Sequence, residues 1–275
     1  MPEWAWLVLL GLGTGTFGVL LGVGGGILLV PLLLLFSGMN TAVVAGTSLA
    51  LTSVTGFSGS VAYLRRGLVD RRSGLIFGAA AIPGSVAGPF AVDLVADSAF
   101  RVLFGLLLVS LAVFMLTRSG SQREKAGRPK HTIEATVRRR HLTASTGEVF
   151  DYEFNEGLAA AFNMVVGFIS AFLGTGGGFI RTPVLVALFG FPVRVAVATS
   201  IFTMSIHATA GGLVHAALGH VDWYPTFVWA GVGLVIGSQI GALVAVKIRA
   251  LLIVRLLTFM LFALGARLVV QGLFG

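Results

Sequence analysis

Two glycine clusters are where this sequence could do chemistry. Gly22-Val23-Gly24-Gly25-Gly26 is followed by Pro31, and Gly174-Thr175-Gly176-Gly177-Gly178 is followed by Pro183. Clustered glycines interrupt a helix and let a ligand approach the backbone, and a proline fits the first turn of the helix that resumes. That resumed helix points unpaired N–H groups and a partial positive charge at whatever lies before it. Gly24, Gly25, Gly26, Gly176, Gly177 and Gly178 are therefore candidates for an anion-binding site. Close helix packing is the competing role for such glycines; the duplication of the cluster together with its proline favours the site.

Few polar side chains accompany the clusters. Arg181 follows the second one, at the position where the first copy has Leu29. An arginine at membrane depth costs about 2.5–3.5 kcal/mol on insertion scales, so it either faces a cavity or partner or snorkels to the headgroups. Thr47-Ser48 and Thr199-Ser200 could give hydroxyl hydrogen bonds to an oxyanion, or could bond to the carbonyl four residues back in their own helices. His207 lies within an uncharged run and is either a proton carrier or a neutral packing partner. Asn163 and Gln239 fit interhelical hydrogen bonding, and His215 and His220 read as interfacial. Gly13-Thr14-Gly15-Thr16-Phe17-Gly18 matches a dinucleotide fingerprint, but it lacks the strand and soluble βαβ unit the motif requires and reads as a packing face.

The elements carrying these residues follow from composition. The chain has 275 residues, 56% hydrophobic and 11% charged, with a mean hydropathy of +0.95. That excludes a soluble globular protein. Residues 4–64, 73–92, 102–117, 157–180, 195–221 and 223–246 contain no Asp, Glu, Lys or Arg. A helical crossing takes about 20 apolar residues, so the chain reads as an all-α polytopic membrane protein, and the alternating pattern of a barrel is absent. The N-terminus lacks a basic leader and cleavage site and is expected to be retained. With no cysteine, disulfides, thiol catalysis and thiolate metal sites are excluded.

The two clusters belong to a duplicated unit. An offset of 152, from Gly22 to Gly174, also maps Thr47-Ser48 onto Thr199-Ser200, Ser53 onto Ser205, Gly59 onto Gly211, Gly67 onto Gly219 and Val69-Asp70 onto Val221-Asp222. After one insertion Gly84-Ser85 and Gly88 map onto Gly237-Ser238 and Gly241. Each half reads as one interrupted apolar segment and three spans, near 4–36, 40–64, 73–92 and 99–117, then 155–189, 193–218, 224–246 and 250–273. The predicted units are a first repeat over 1–117, a basic connector over 118–152 and a second repeat over 153–275.

Positive charge orients the spans. Arg65, Arg66, Arg71 and Arg72 place the loop after span two in the cytoplasm, as do the eight basic residues of 118–152 for the connector and Lys247, Arg249 and Arg255 for the last connection. The loop 218–222 then lies outside. Each opening segment must enter and return as a broken hairpin, and the halves lie inverted, the plan of secondary transporters. Within the connector, Thr132–Arg140 and Glu148–Phe154 flank Thr143–Gly147 and suit either a small β-hairpin or a disordered loop. Of the 30 charged residues, 14 fall in 118–156; the rest of the basic excess sits at span ends, so the +8 charge does not point to nucleic acid.

The doubled G-x-GGG-x4-P element, the Thr-Ser pair sixteen residues after each proline and the basic loop between halves resemble the sulfite exporter TauE/SafE family of membrane permeases, over about 9–118 and 155–271. The resemblance implies transport of small sulfur-containing anions or organosulfonates, commonly sulfite export. Arg181 in only one copy implies an electrostatically asymmetric pathway. The expectation is a plasma-membrane carrier working by alternating access around the two breaks, with a small anion and the lipid bilayer as partners and no cofactor, metal or catalysis. A passive anion channel or a membrane-embedded enzyme would be the alternatives. The sequence leaves the anion, the direction, the coupling ion and the oligomeric state open.

Overall fold

The computed structural model describes residues 3–118, 137–244 and 250–274. They form helices α1 (Glu3–Leu20), α2 (Gly26–Phe36), α3 (Thr41–Arg65), α4 (Arg71–Val92) and α5 (Asp97–Arg118), strands β1 (Val137–Thr143) and β2 (Val149–Asn155), and helices α6 (Glu156–Leu173), α7 (Gly178–Ala187), α8 (Val193–Ala217), α9 (Val228–Val244) and α10 (Ala250–Phe274). One π-turn, Trp223–Phe227, leads into α9. Among the described residues, α3, α4, α6, α8 and Trp223–Val244 are long and apolar enough to cross a membrane. The protein is a multi-pass, all-α membrane protein.

Local signals set where the helices begin. Asn40, Asp70 and Asn155 accept from the third backbone N–H of α3, α4 and α6 (Val43, Ser73 and Leu158, at 2.8, 3.0 and 2.9 Å), each satisfying a donor with no partner inside its helix. By contrast neither α2 nor α7 has a side-chain cap.

Packing pairs the halves. α1 lies along α9 and α4 along α6, with small residues bringing the backbones together: Gly11 on Ala230, Gly237 on Leu12, Gly84 on Met164 and Gly167 on Ala81. Both are parallel pairs. Helices that correspond in the two halves pack antiparallel instead. α3 meets α8 with Gly56 against Ser205 and Gly212 against Ala50, and α5 meets α10 with Gly105 against Gly265 and Gly272 against Ser98.

Both opening segments fold back on themselves. A methyl group on Gly25 would sit 3.5 Å from the Thr14 carbonyl oxygen, and one on Gly177 would sit 3.4 Å from that of Val166. Eleven residues of straight helix would put each pair roughly 16 Å apart. The end of α2 accordingly returns to the start of α1, where Leu32 and Phe36 share an apolar groove with Trp6, Leu9 and Leu10.

The connector carries an antiparallel β-hairpin, Arg140 opposite Tyr152. Its strands run to Thr143 and Asn155, past the Arg140 and Phe154 that the sequence suggests; 132–136 lie outside the described residues, as do Lys247 and Arg249. Tyr152 and Phe154 pack against Phe191, and Phe154 against Phe77, docking the sheet onto α4 and the α7–α8 turn.

Candidate functional site

The two breaks meet at the centre of the protein. A methyl on Gly178 would press on the Gly22 carbonyl (2.6 Å), and one on Gly26 on that of Gly174 (2.8 Å). Gly24 and Gly176 face the same two side chains, the corresponding residues Thr52 of α3 and Met204 of α8. A methyl on Gly24 would lie 2.5 Å from the Met204 sulfur, and one on Gly176 2.6 Å from it. Both glycines have φ of +79°, a conformation that costs an L-residue roughly 1–2 kcal/mol. The breaks differ at one step: Gly25 is helical, whereas Gly177 is left-handed with φ +68°.

Arg181, in the first turn of α7, is completely buried. Its Nε donates to Asn163 Oδ1 at 2.5 Å, its Nη2 to His207 Nε2 at 2.9 Å, and its Nη1 reaches the Ser200 carbonyl at 3.5 Å. His207 Nδ1 meets Ser85 Oγ at 2.9 Å, and Ser85 donates to the Gly167 carbonyl at 3.2 Å. Among the described residues no carboxylate lies within ion-pair distance of Arg181. All of its partners are neutral, so a buried positive charge sits beside an uncapped helix start without a counter-ion. The corresponding Leu29 is buried in an apolar cluster.

Among the described residues, the buried hydroxyls of Thr52, Ser170 and Thr175 beside the breaks have no hydrogen-bond partner, nor has that of Ser48, one turn before Thr52 on α3. Thr52 and Thr175 flank Gly26, and Ser170 packs on Gly177. An unsatisfied buried hydroxyl costs about 1–3 kcal/mol, so their grouping around the breaks suits a polar ligand. Sequence reading missed Thr52, Ser170 and Thr175. Their counterparts are Met204, Gly18 and Val23, so self-comparison gives no match there.

The hydroxyls singled out from the sequence divide. Thr47 Oγ1 accepts from the Asp222 N–H (2.8 Å) and Thr199 Oγ1 from the Asp70 N–H (3.1 Å), each anchoring the loop that precedes the third span of the opposite half. Ser200 donates to the Gly22 carbonyl at 3.3 Å, beside Thr182 at 2.8 Å. Ser48 keeps a free hydroxyl. Asn163 orients Arg181, while Gln239 bonds to Ser58 at the periphery.

Polar clusters close the two ends. At one, buried Asp70 accepts from Ser73 Oγ (2.6 Å), Tyr152 (2.8 Å) and Arg140 (3.3 Å), and Arg140 also pairs with Glu156 at 2.5 Å. Burial, and then the adjacent Asp70 carboxylate, raise the Tyr152 phenol above its usual range, so it remains a donor. At the other end Asp93 lies 3.2 Å from His220, which is hydrogen-bonded to His215, itself bonded to the Ala171 carbonyl; His215, expected to be interfacial, is buried. Among the described residues no cluster of three His, Cys, Asp or Glu could hold a metal ion.

Known proteins resemble this chain in sequence. The chain is 33% identical over 98% of both lengths to "Probable membrane transporter protein YunE" of Bacillus subtilis (strain 168). It is 28% identical to a "Probable membrane transporter protein" of Xylella fastidiosa (strain Temecula1), over 84% of this chain and 80% of that one. A protein of the same description from Methanocaldococcus jannaschii is 25% identical, over 79% and 74%. No solved structure matches the chain. The profile of the family described as Sulfite exporter TauE/SafE covers residues 7–268, and with the near full-length relative it shows that this chain belongs to the TauE/SafE family of membrane transporters.

Proposed function

We propose that the protein carries a small sulfur-containing oxyanion, sulfite first among candidates, across the plasma membrane by alternating access around the two glycine breaks. The observation that carries this reading is Arg181, a buried cation with only neutral partners at the uncapped start of α7. Leaving such a charge unpaired costs several kcal/mol, and an anion bound among Arg181, the Gly176–Gly178 and Gly24–Gly26 backbones, Ser48, Thr52, Ser170 and Thr175 supplies both the missing charge and the missing hydrogen-bond partners. Charge-assisted bonds to a planar guanidinium fork suit an oxyanion.

Two inverted repeats, 1–117 and 153–275, serve this mechanism. The antiparallel packing of α3 on α8 and of α5 on α10, corresponding helices in the two halves, supports an inverted relation, and the excess of basic residues puts the connector in the cytoplasm. Burial of the whole site favours a carrier over an open channel. The test is counterflow: proteoliposomes preloaded with unlabelled sulfite should accumulate labelled sulfite transiently. Flux without counterflow would make it a channel, and a chemically altered product would make it an enzyme.

A further inference from the structure

We infer that His207 is the proton acceptor of this site, so that a doubly charged anion moves with one proton and a singly charged anion with none. The inference rests on the anion-carrier reading above and names its coupling ion.

The hydrogen-bond chain assigns every proton around the ring. A guanidinium has donors only, so His207 Nε2 must accept from Arg181 Nη2. The ring proton then sits on Nδ1 and goes to Ser85 Oγ, whose own proton goes to the Gly167 carbonyl. The ring is neutral in this arrangement, and Nε2, the atom facing Arg181, is the one position open to a second proton. Without an anion that position stays empty, because it would set two cations one hydrogen bond apart.

An arriving anion changes the balance. A monoanion that draws Arg181 towards itself neutralises the site. A dianion leaves one negative charge uncompensated in a buried position, which is costly. Turning Nη2 from His207 to the anion frees Nε2, and a proton from water on the open side forms an Nε2–H bond. Arginine, imidazolium and dianion then sum to zero, and the proton returns to water when the anion leaves.

Among the described residues no other titratable group is placed to compete; Tyr63 of α3 donates to the Val19 carbonyl. The elements around His207 are α3, α4, α6, α7 and the Gly176 backbone, and besides Arg181 their charged groups stand at the helix ends: Arg65 of α3, Arg71 and Arg72 of α4, Glu156 of α6. On α8 itself Arg194 lies at the start, and His215, two turns on, is bonded to the Ala171 carbonyl. Glu156, closest to Asn163 in sequence, is held by Arg140.

Calorimetric titration of the purified full-length protein, repeated in two buffers of different ionisation enthalpy, counts protons taken up per anion bound. The probes are thiosulfate, sulfate and sulfite, the last in buffer alkaline enough to keep it a dianion, and the monoanions methanesulfonate and nitrate. The dianions that bind should take up about one proton and lose affinity about tenfold per pH unit as pH rises, because proton and anion binding are linked; the monoanions should take up none. In His207→Gln the uptake should vanish. Dianion binding without proton uptake by the wild type, which requires no variant to fold, overturns the inference and leaves the carrier intact, as does uptake that persists in His207→Gln. Failure of all five anions to bind the wild type removes the carrier reading itself.

Discussion

Replacing Arg181 by glutamine separates a site built for an anion from one built for stability. The guanidinium is fully buried, and its bonds go to Asn163, His207 and the Ser200 carbonyl, all neutral. Breaking a buried ion pair costs about 3–5 kcal/mol because the abandoned partner is charged; here the abandoned acceptors are neutral, at about 1–3 kcal/mol each. The glutamine amide can satisfy one of them, and removing an unpaired buried charge returns several kcal/mol. The empty variant should therefore be as stable as the wild type, within about 2 kcal/mol. Anion affinity should fall roughly ten- to a hundredfold, the value of one charge-assisted hydrogen bond. Thermal unfolding in detergent reads both effects. At an anion concentration of about 100 Kd the wild type gains about 2.7 kcal/mol, and the same concentration should give the variant only about 0.4–1.4 kcal/mol. A variant that is destabilised by the full cost of an ion pair, yet keeps the wild-type gain from sulfite or thiosulfate, would refute the reasoning.

Topology is tested with single cysteines in this cysteine-free chain. Gly147 at the hairpin tip and Gly219 in the α8–α9 loop have open space around them, whereas Gly67 is covered by Thr143 and Ser145. An impermeant thiol reagent should label Gly147→Cys only from the cytoplasm and Gly219→Cys only from outside; labelling of both from one side contradicts the inverted arrangement. Gly176→Ala should lose roughly 2–4 kcal/mol of stability, adding left-handed strain to overpacking against Thr52 and Met204, and melting within error of the wild type would remove the tight junction of the breaks. Thr47→Val and Thr199→Val should each cost about 1–3 kcal/mol in thermal unfolding, by stranding the Asp222 or Asp70 N–H.

Much of the architecture could be read from the sequence because its causes are local. Apolar runs of membrane-spanning length and glycines that stop a helix act within a few residues, and the duplicated glycine cluster displays its signal twice. The long apolar helices and both breaks follow from such features, while the connector stayed open between a hairpin and a loop until the fold placed Tyr152 and Phe154 against Phe191. The site depended on neighbours from different elements. Arg181 of α7 finds Asn163 on α6, His207 on α8 and Ser85 on α4, a meeting that no spacing along the chain encodes. Thr47 and Thr199 looked like ligands by their position after the prolines, yet their oxygens hold loops of the opposite half. Thr52 and Met204 occupy corresponding positions and close over the same two glycines, but their side chains differ, so comparing the halves left them silent. Sequence by itself determined where the chain must break, since a helix responds to its own residues; tertiary structure decided which polar groups would be left without partners, since burial and hydrogen bonding depend on what the rest of the fold brings near.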